Sequence, residues 1–297
     1  MAKGPNGNGK KLSVVETGSD VDVVDPYKAE LEAARGATVS RRLEDNVLPL
    51  VRLLQTNSPE VNRRNAGYVE GANPGDWYFR DAPKEIIRGE EGFDMQPLFL
   101  DHVYVQWKAD RGGFSGKTYP FNDIPPEARE RIDIDSETGA QRNVLGMPNG
   151  DYLEDTIYIY GMVDKRLWVV PCRSTGLTIA RRFNQALSFL QFDGEELAIF
   201  GSTWRFTTRM AQNKKGEWFI PHFAKTSQFA RPDAQLNVPV MPLETFRLGR
   251  KERGALMADL KTGARMIEIP AQDETVTGPT AHSGPEPGSD IGEDIPF

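Results

Sequence analysis

The chain has 297 residues and a mass of 33.2 kDa; 38% of its residues are hydrophobic, 27% are charged, and its net charge is −7. That length supports one large domain or two small ones. No apolar run approaches the ~18 residues of a membrane span, Met1–Gly7 lacks the apolar stretch of a secretory signal, and the single cysteine, Cys172, excludes an internal disulfide. His102, His222 and His282 are too scattered for a zinc site, so a cytoplasmic, metal-free and cofactor-free protein is the expectation.

Residues 1–45 are rich in Gly, Asn, Lys and Asp and read as a flexible segment with a short helical possibility at 26–34. From residue 48 to about residue 260 the apolar residues become periodic. Leu98–Lys108 alternates, with Val103, Val105 and Trp107 on one face and Tyr104, Gln106 and Lys108 on the other. Residues 109–154, with Gly112-Gly113 and Pro125-Pro126, read as a long inserted loop. Thr156–Tyr160 sets Ile157 and Ile159 against Tyr158 and Tyr160, and Arg166–Val170 sets Leu167 and Val169 against Arg166, Trp168 and Val170. A helix over 175–190 follows from Ala180, Phe183, Leu187 and Leu190 at three- and four-residue intervals, with Ser174 or Thr175 able to cap it. Strands at 199–210 and 217–223 join through a turn at 212–216, and a second amphipathic helix occupies 243–260.

The order strand, strand, strand, helix, strand, strand is that of an OB-fold, so the predicted class is mainly β. In detail, that is an elaborated five-stranded Greek-key barrel with a helix between its third and fourth strands. The domain spans 46–264, with residues 48–88 as an extra layer packed outside the barrel. Residues 265–297 form an acidic tail of Thr, Gly, Pro and Ser with little to bury.

Charge is separated along the chain. Residues 268–297 carry seven acids and no Lys or Arg, whereas 165–253 holds fifteen basic and seven acidic residues. A basic-biased body with an acidic tail is the pattern of an interaction tail.

Catalytic motifs do not assemble. Gly112-Gly113-Phe114-Ser115-Gly116-Lys117-Thr118 approaches a P-loop, but the position five before Gly116 is Arg111 where a glycine is needed. Asp133/Asp135, Glu154/Asp155 and Asp193/Glu195/Glu196 suit exposed loops better than a metal cleft. Cys172 ends an apolar strand as a buried, inert thiol. No enzymatic activity is expected. What stands out is aromatic and basic residues on shared strand faces: Tyr104, Lys108, Tyr158, Tyr160, Arg166, Trp168, Arg205 and Arg209, with Arg173 at a strand end and Arg111 and Lys117 on the loop. Rings that stack on bases beside cations that track phosphates suit single-stranded nucleic acid; Trp107, Trp204 and Phe206 fall on the aliphatic side, in the core.

The last residues are Asp290-Ile291-Gly292-Glu293-Asp294-Ile295-Pro296-Phe297. This end resembles the acidic tip of bacterial single-stranded DNA-binding proteins, which also close on Asp-Ile-Pro-Phe behind a linker. The match covers four residues, and Gly292-Glu293 stands where an aspartate run is usual. The body is similar instead to the larger single-stranded DNA-binding proteins of bacteriophages, through Leu53-Leu54-Gln55 with Ser58-Pro59, Gly71, Gly75-Asp76, Trp107 and Gly112-Gly113.

These resemblances imply a phage-encoded protein of the host cytoplasm that coats single-stranded DNA in replication, recombination and repair. Asp294, Ile295, Pro296 and Phe297 would recruit a polymerase, helicase, primase or nuclease, with self-association possible and no membrane partner. The alternatives are a metal-dependent phage nuclease and a virion-associated structural protein.

Overall fold

The computed structural model describes residues 46–80, 85–109, 114–134, 141–213, 216–262 and 265–267. The N-terminal segment, Arg111 and the tail with its tip, Asp294–Phe297, therefore lie outside the described residues.

In chain order the elements are β1 (Asn46–Leu48), β2 (Val51–Leu53), β3 (Trp77–Phe79), β4 (Glu85–Ile87), β5 (Phe93–Trp107), β6 (Phe114–Pro120), β7 (Arg129–Ile134), β8 (Gln141–Gly146), β9 (Tyr152–Val163) and β10 (Arg166–Arg173). Helix α1 (Thr175–Ser188) follows, then the short pair β11 (Gln191–Phe192) and β12 (Glu195–Glu196) and a 3-10 turn at Ile199–Gly201. The chain continues through β13 (Ser202–Asn213), β14 (Gly216–Gln228), α2 (Leu243–Thr262) and β15 (Arg265–Ile267). Among the described residues the fold is mainly β, a curled antiparallel sheet forming a half-barrel, with two α-helices.

One long ladder organises it. β5 and β9 pair antiparallel from Gln96↔Met162 to Trp107↔Tyr152. Each has a second edge divided between two strands. β5 takes β13 at its start (Phe206↔Phe93) and β6 at its end (Trp107↔Phe114). β9 takes β8 at its start (Gly146↔Tyr152) and β10 along the rest (Arg166↔Val163). The ladder thus runs through two five-stranded halves: a body, β14-β13-β5-β9-β10, and an arm, β6-β5-β9-β8-β7. Among the described residues no ladder joins β10 to β14. A bulge between Pro97 and Phe99 bends β5, which places the proline's missing donor where the ladder is already interrupted.

The body's core is aromatic. Phe93 and Phe206 stack at 5.2 Å, Trp77 and Phe79 of the β2-β3-β4 sheet meet Phe93 edge-on at 5.3 and 5.1 Å, and Phe183 of α1 meets Trp204 at 5.0 Å. Residues 48–88 therefore do not form an outside layer. Trp77, Tyr78 and Phe79 are all buried, and Trp77 and Phe79 fill the half-barrel. Ser174 takes the N-cap position of α1 at φ 53°, but its hydroxyl does not cap the helix. On the sheet's other face, buried Gln96 donates to Phe200 O at 2.7 Å and Thr245 O at 3.1 Å. Gly249 makes room for it, since a Cβ there would fall 2.4 Å from Gln96 Nε2. This one amide ties β5 to both the 3-10 turn and α2.

The stretch 109–154 is not one long loop, because it contributes β6, β7 and β8. Sequence periodicity misses them because β7 (Arg-Glu-Arg-Ile-Asp-Ile) and β6 (Phe-Ser-Gly-Lys-Thr-Tyr-Pro) carry few apolar residues. Gly116-Lys117-Thr118 lies inside β6, not at a helix start as a phosphate loop requires.

Candidate nucleic-acid interface

Alternation separates the two faces of each strand, but the register sets Trp168 opposite Gly161 and Val169 opposite Tyr160, so Trp168 lies on the sheet face away from Tyr158 and Tyr160, and along β9 both faces are covered. Tyr158, Tyr160 and Trp168 are 4%, 1% and 6% exposed, so these three rings are core and no base can stack on them. Tyr158 and Tyr160 sit in a run of β9 that is buried at every position from Thr156 to Val163. Trp168 meets Phe79 edge-on at 4.7 Å. Burial and the Asp101 carboxylate also push the Tyr160 hydroxyl far above its usual range. Trp107, Trp204 and Phe206 are buried, as the sequence predicts.

The cations divide three ways. Arg173 is half-buried, 3.5 Å from Glu154 and with its guanidinium 5.2 Å from the Trp107 ring centre. Arg205 is exposed but forms a fork on Asp94, at 2.7 and 2.8 Å, and also donates to Glu91 O; that pairing raises its pKa. Lys108, Lys117, Arg166 and Arg209 are exposed. They do not share one surface. Arg166 opens β10 opposite Val163, whereas Lys108 follows Trp107, which pairs with Tyr152. Eleven residues of β9 separate those ends, or about 36 Å at ~3.3 Å per residue.

The place where rings and cations do meet is the arm. Tyr104 stands opposite both Tyr119 of β6 and Asp155 of β9, so the three share a face. His102, two residues earlier on β5, points the same way. The Phe121 ring, just beyond β6, packs on both from the neighbouring strand, its N–H donating to His102 O at 3.0 Å. It stacks on His102 at 3.8 Å and 19° and on Tyr104 at 5.4 Å and 10°. His102 Nε2 lies 2.5 Å from Asp155 Oδ1, and Arg181 of α1 donates to Asp155 Oδ2 at 2.8 Å. Partial burial, followed by the nearby Asp155 charge, raises the Tyr104 pKa against the pull of Arg181. The rings are half-buried and the Arg181 side chain is 54% exposed. His102, Phe121, Asp155 and Arg181 are the members that sequence reading misses. His102 was legible, since it shares the alternation that singles out Tyr104; Phe121 was not, because it falls in a stretch read as loop.

Behind the rings is a polar network. Tyr119 donates its hydroxyl to Gln106 Oε1 at 2.8 Å, and Gln106 donates to Asp151 at 2.5 Å. Asp151 also accepts from Asn149 at 2.8 Å and from the Ala109 N–H at 3.2 Å. Desolvation pushes the Asp151 carboxyl up, but the two side-chain amides, the N–H and the Lys108 charge together hold it below its usual value.

Of the residues that resemble the phage proteins, Gln55, Gly75 and Asp76 hold the fold together, and Gly112-Gly113 lie outside the described residues. Gln55 laces its amide to β14, donating to Phe219 O and accepting from Phe219 N–H, both at 2.9 Å. Asp76 accepts from Arg88 at 2.5 Å and from the Asn73 N–H at 3.0 Å. Gly75 turns at φ +89°, a conformation L side chains avoid. Cys172 is buried and its thiol is pushed up to about 12 by that burial.

No curated protein and no solved structure matches this chain. A family model described as Pam3 phage gp34-like protein matches residues 19–236, from the N-terminal segment through the whole half-barrel to beyond β14. With most of its length covered by that match, the chain belongs to the Pam3 phage gp34-like family and is a phage protein.

Proposed function

We propose that this phage protein binds single-stranded DNA without sequence preference, carries out no chemistry on it, and serves replication and recombination in the host cytoplasm. The observation that carries this reading is the order β14-β13-β5-β9-β10 with α1 between β10 and β13. We read that order as an OB-fold opened at its last ladder, an architecture used repeatedly for single strands. The phage family and the acidic end of the chain support it. Burial of Tyr158, Tyr160 and Trp168 moves the contact surface to the arm, where Tyr104, His102 and Phe121 supply rings and Arg181, Lys108 and Lys117 supply charge. The tip Asp294–Phe297 is assigned to capturing replication or recombination enzymes.

The test is the anisotropy of a dye-labelled dT oligomer at two salt concentrations. A dye on the DNA is used, because four of the five tryptophans, Trp77, Trp107, Trp168 and Trp204, are buried and report poorly on a surface ligand, and the half-buried Trp218 lies on β14 of the body. Binding that weakens with salt, with a slope of roughly 0.7 per phosphate contacted, is expected. No binding at low salt overturns the reading and favours a virion-associated role. Divalent-metal-dependent loss of the oligomer overturns it in favour of a nuclease.

A further inference from the structure

We propose that the outward face of the β13–β14 hairpin is a second single-strand surface, remote from the arm, on which Trp218 stacks a base and Arg209 holds a phosphate. This rests on the single-strand reading above and adds a contact on the body. The register sets Thr207 opposite His222, Arg209 opposite Ile220 and Ala211 opposite Trp218, so these six share one side of the hairpin. The 3.2 Å hydrogen bond between Thr207 Oγ1 and His222 Nδ1 lies on that side. The opposite side carries Trp204, Phe206 and Phe223 into the core, all buried, whereas none of the six is buried. Helix α2 and the 3-10 turn meet the outward side of the sheet at Gln96 of β5. β13 pairs with β5 no further than Phe206↔Phe93, so the hairpin runs on past that cover.

The chemistry of this face fits a polyanion that carries flat rings. Residues 205–225 hold five basic residues and one acidic. Arg205 is committed to Asp94 and Lys225 to Gln228, but Arg209 is exposed and makes no ion pair among the described residues. Trp218 stands diagonally across the ladder from Arg209, at about 7–8 Å, a spacing at which a ring and a long side chain reach parts of one nucleotide. Trp218 is half-buried, and its indole Nε1 is covered and without a hydrogen bond, so the residue offers a ring to stack on rather than a donor. Stacking without hydrogen-bond readout is what binding without sequence preference requires. The two surfaces are well separated. Ala211, the partner of Trp218, lies five residues beyond Phe206, and His102 lies nine residues beyond Phe93, so about 46 Å of strand at ~3.3 Å per residue divides them.

The experiment reads two signals on the full chain. Anisotropy of a dye-labelled dT oligomer follows all binding, and tryptophan emission with unlabelled dT follows this face, because Trp218 is the one tryptophan of five that is not buried. Thermal midpoints of Trp218→Phe, Trp218→Leu and Arg209→Gln are measured first. Emission of the wild type is expected to fall on binding, and Trp218→Phe, which keeps a ring, to abolish that quenching while retaining most of the affinity. Trp218→Leu should weaken dT binding by about 5- to 150-fold, the loss of one stacked base, and Arg209→Gln should lower the salt slope by roughly 0.7, one phosphate. Should Trp218→Leu unfold, Arg209→Gln, at an exposed position, decides. Unchanged emission on binding that anisotropy detects, with wild-type affinity in both Trp218→Leu and Arg209→Gln, overturns the hairpin surface and leaves single-strand binding to the arm. A dimer seen in sedimentation that Trp218→Leu dissociates, at unaltered dT affinity, overturns it in favour of contact between copies of the chain. Failure of the wild type to bind labelled dT overturns the functional reading on which the surface rests.

Discussion

Truncating Trp168 separates two roles for its indole: a surface on which DNA stacks, or a support of the core. The side chain is 6% exposed, meets Phe79 edge-on at 4.7 Å, and stands opposite Gly161 in the β9–β10 ladder. An aromatic side chain buries about 150–250 Å², which at ~25 cal/mol per Å² gives about 4–6 kcal/mol as an upper bound. Measured Trp→Ala truncations in cores cost roughly 3–5 kcal/mol. Taking about 4 kcal/mol, and ~2–4 °C per kcal/mol for a domain of this size, Trp168→Ala should lower the thermal midpoint by roughly 8–16 °C. Near-UV circular dichroism follows the transition. The dT affinity, measured well below the midpoint, should stay within about twofold of wild type, because a buried indole has no contact to lose. A midpoint that moves by less than ~2 °C together with a clear loss of affinity would refute the argument, since the indole would then be a binding surface.

The Cys172 thiol, buried with its pKa near 12, should not react with a disulfide reagent at pH 8 in the native protein and should react fully in denaturant. Asp151 and Asp101 should respond to pH with opposite signs. Asp151 has a lowered pKa, so it contributes stability above the unfolded carboxylate value that is lost as pH falls through its folded pKa; Asp151→Asn should cost about 1–3 kcal/mol at pH 7 and progressively less in acid, by urea denaturation. Burial raises the Asp101 pKa against the pull of His102, so its ionisation works against the fold. Asp101→Asn should then stabilise at pH 7, with a gain that shrinks as pH falls below the folded value; a loss of stability at pH 7 contradicts this. Deleting Gly284–Phe297 should raise dT affinity or flatten its salt dependence and abolish capture of replication enzymes, and an unchanged affinity removes competition between tail and DNA.

Period-two alternation located β5, β9, β10, β13 and β14, and the three- and four-residue spacing located α1 and α2, because each of these elements commits one face to a large core. Alternation divides residues between two faces but does not reveal whether the second is covered. That information lies in segments distant along the chain: Trp77 and Phe79 fill one side of the half-barrel, while α2 and the 3-10 turn meet Gln96 on the other. Tyr158 and Tyr160 were misread for this reason, since a polar hydroxyl on a strand face is compatible with both burial and exposure. The arm was hidden for the converse reason. Among the described residues its core is Ala128, Met147 and Leu153, flanked by Tyr104, Tyr119 and Leu145, too little apolar sequence to mark three strands. Phe121 was hidden with it.

The division of the sheet explains why the open ring cluster occurs in the arm. A five-stranded sheet that buries both faces gains stability but offers a ligand only its edges. The body takes this course along β9, and its outer edge at β10 is further occupied by the bridge from Leu50 to Val169. β5 is fifteen residues long and continues past the body, as does β9. The strand that carries Met95 and Leu98 into the body's core therefore also carries His102 and Tyr104 beyond it. Their orientation is fixed by a ladder anchored in a large core, at a place where no large core hides them. A binding group gains most from rigid placement with an accessible face, and in this half-barrel both conditions are met where the central ladder passes from body to arm.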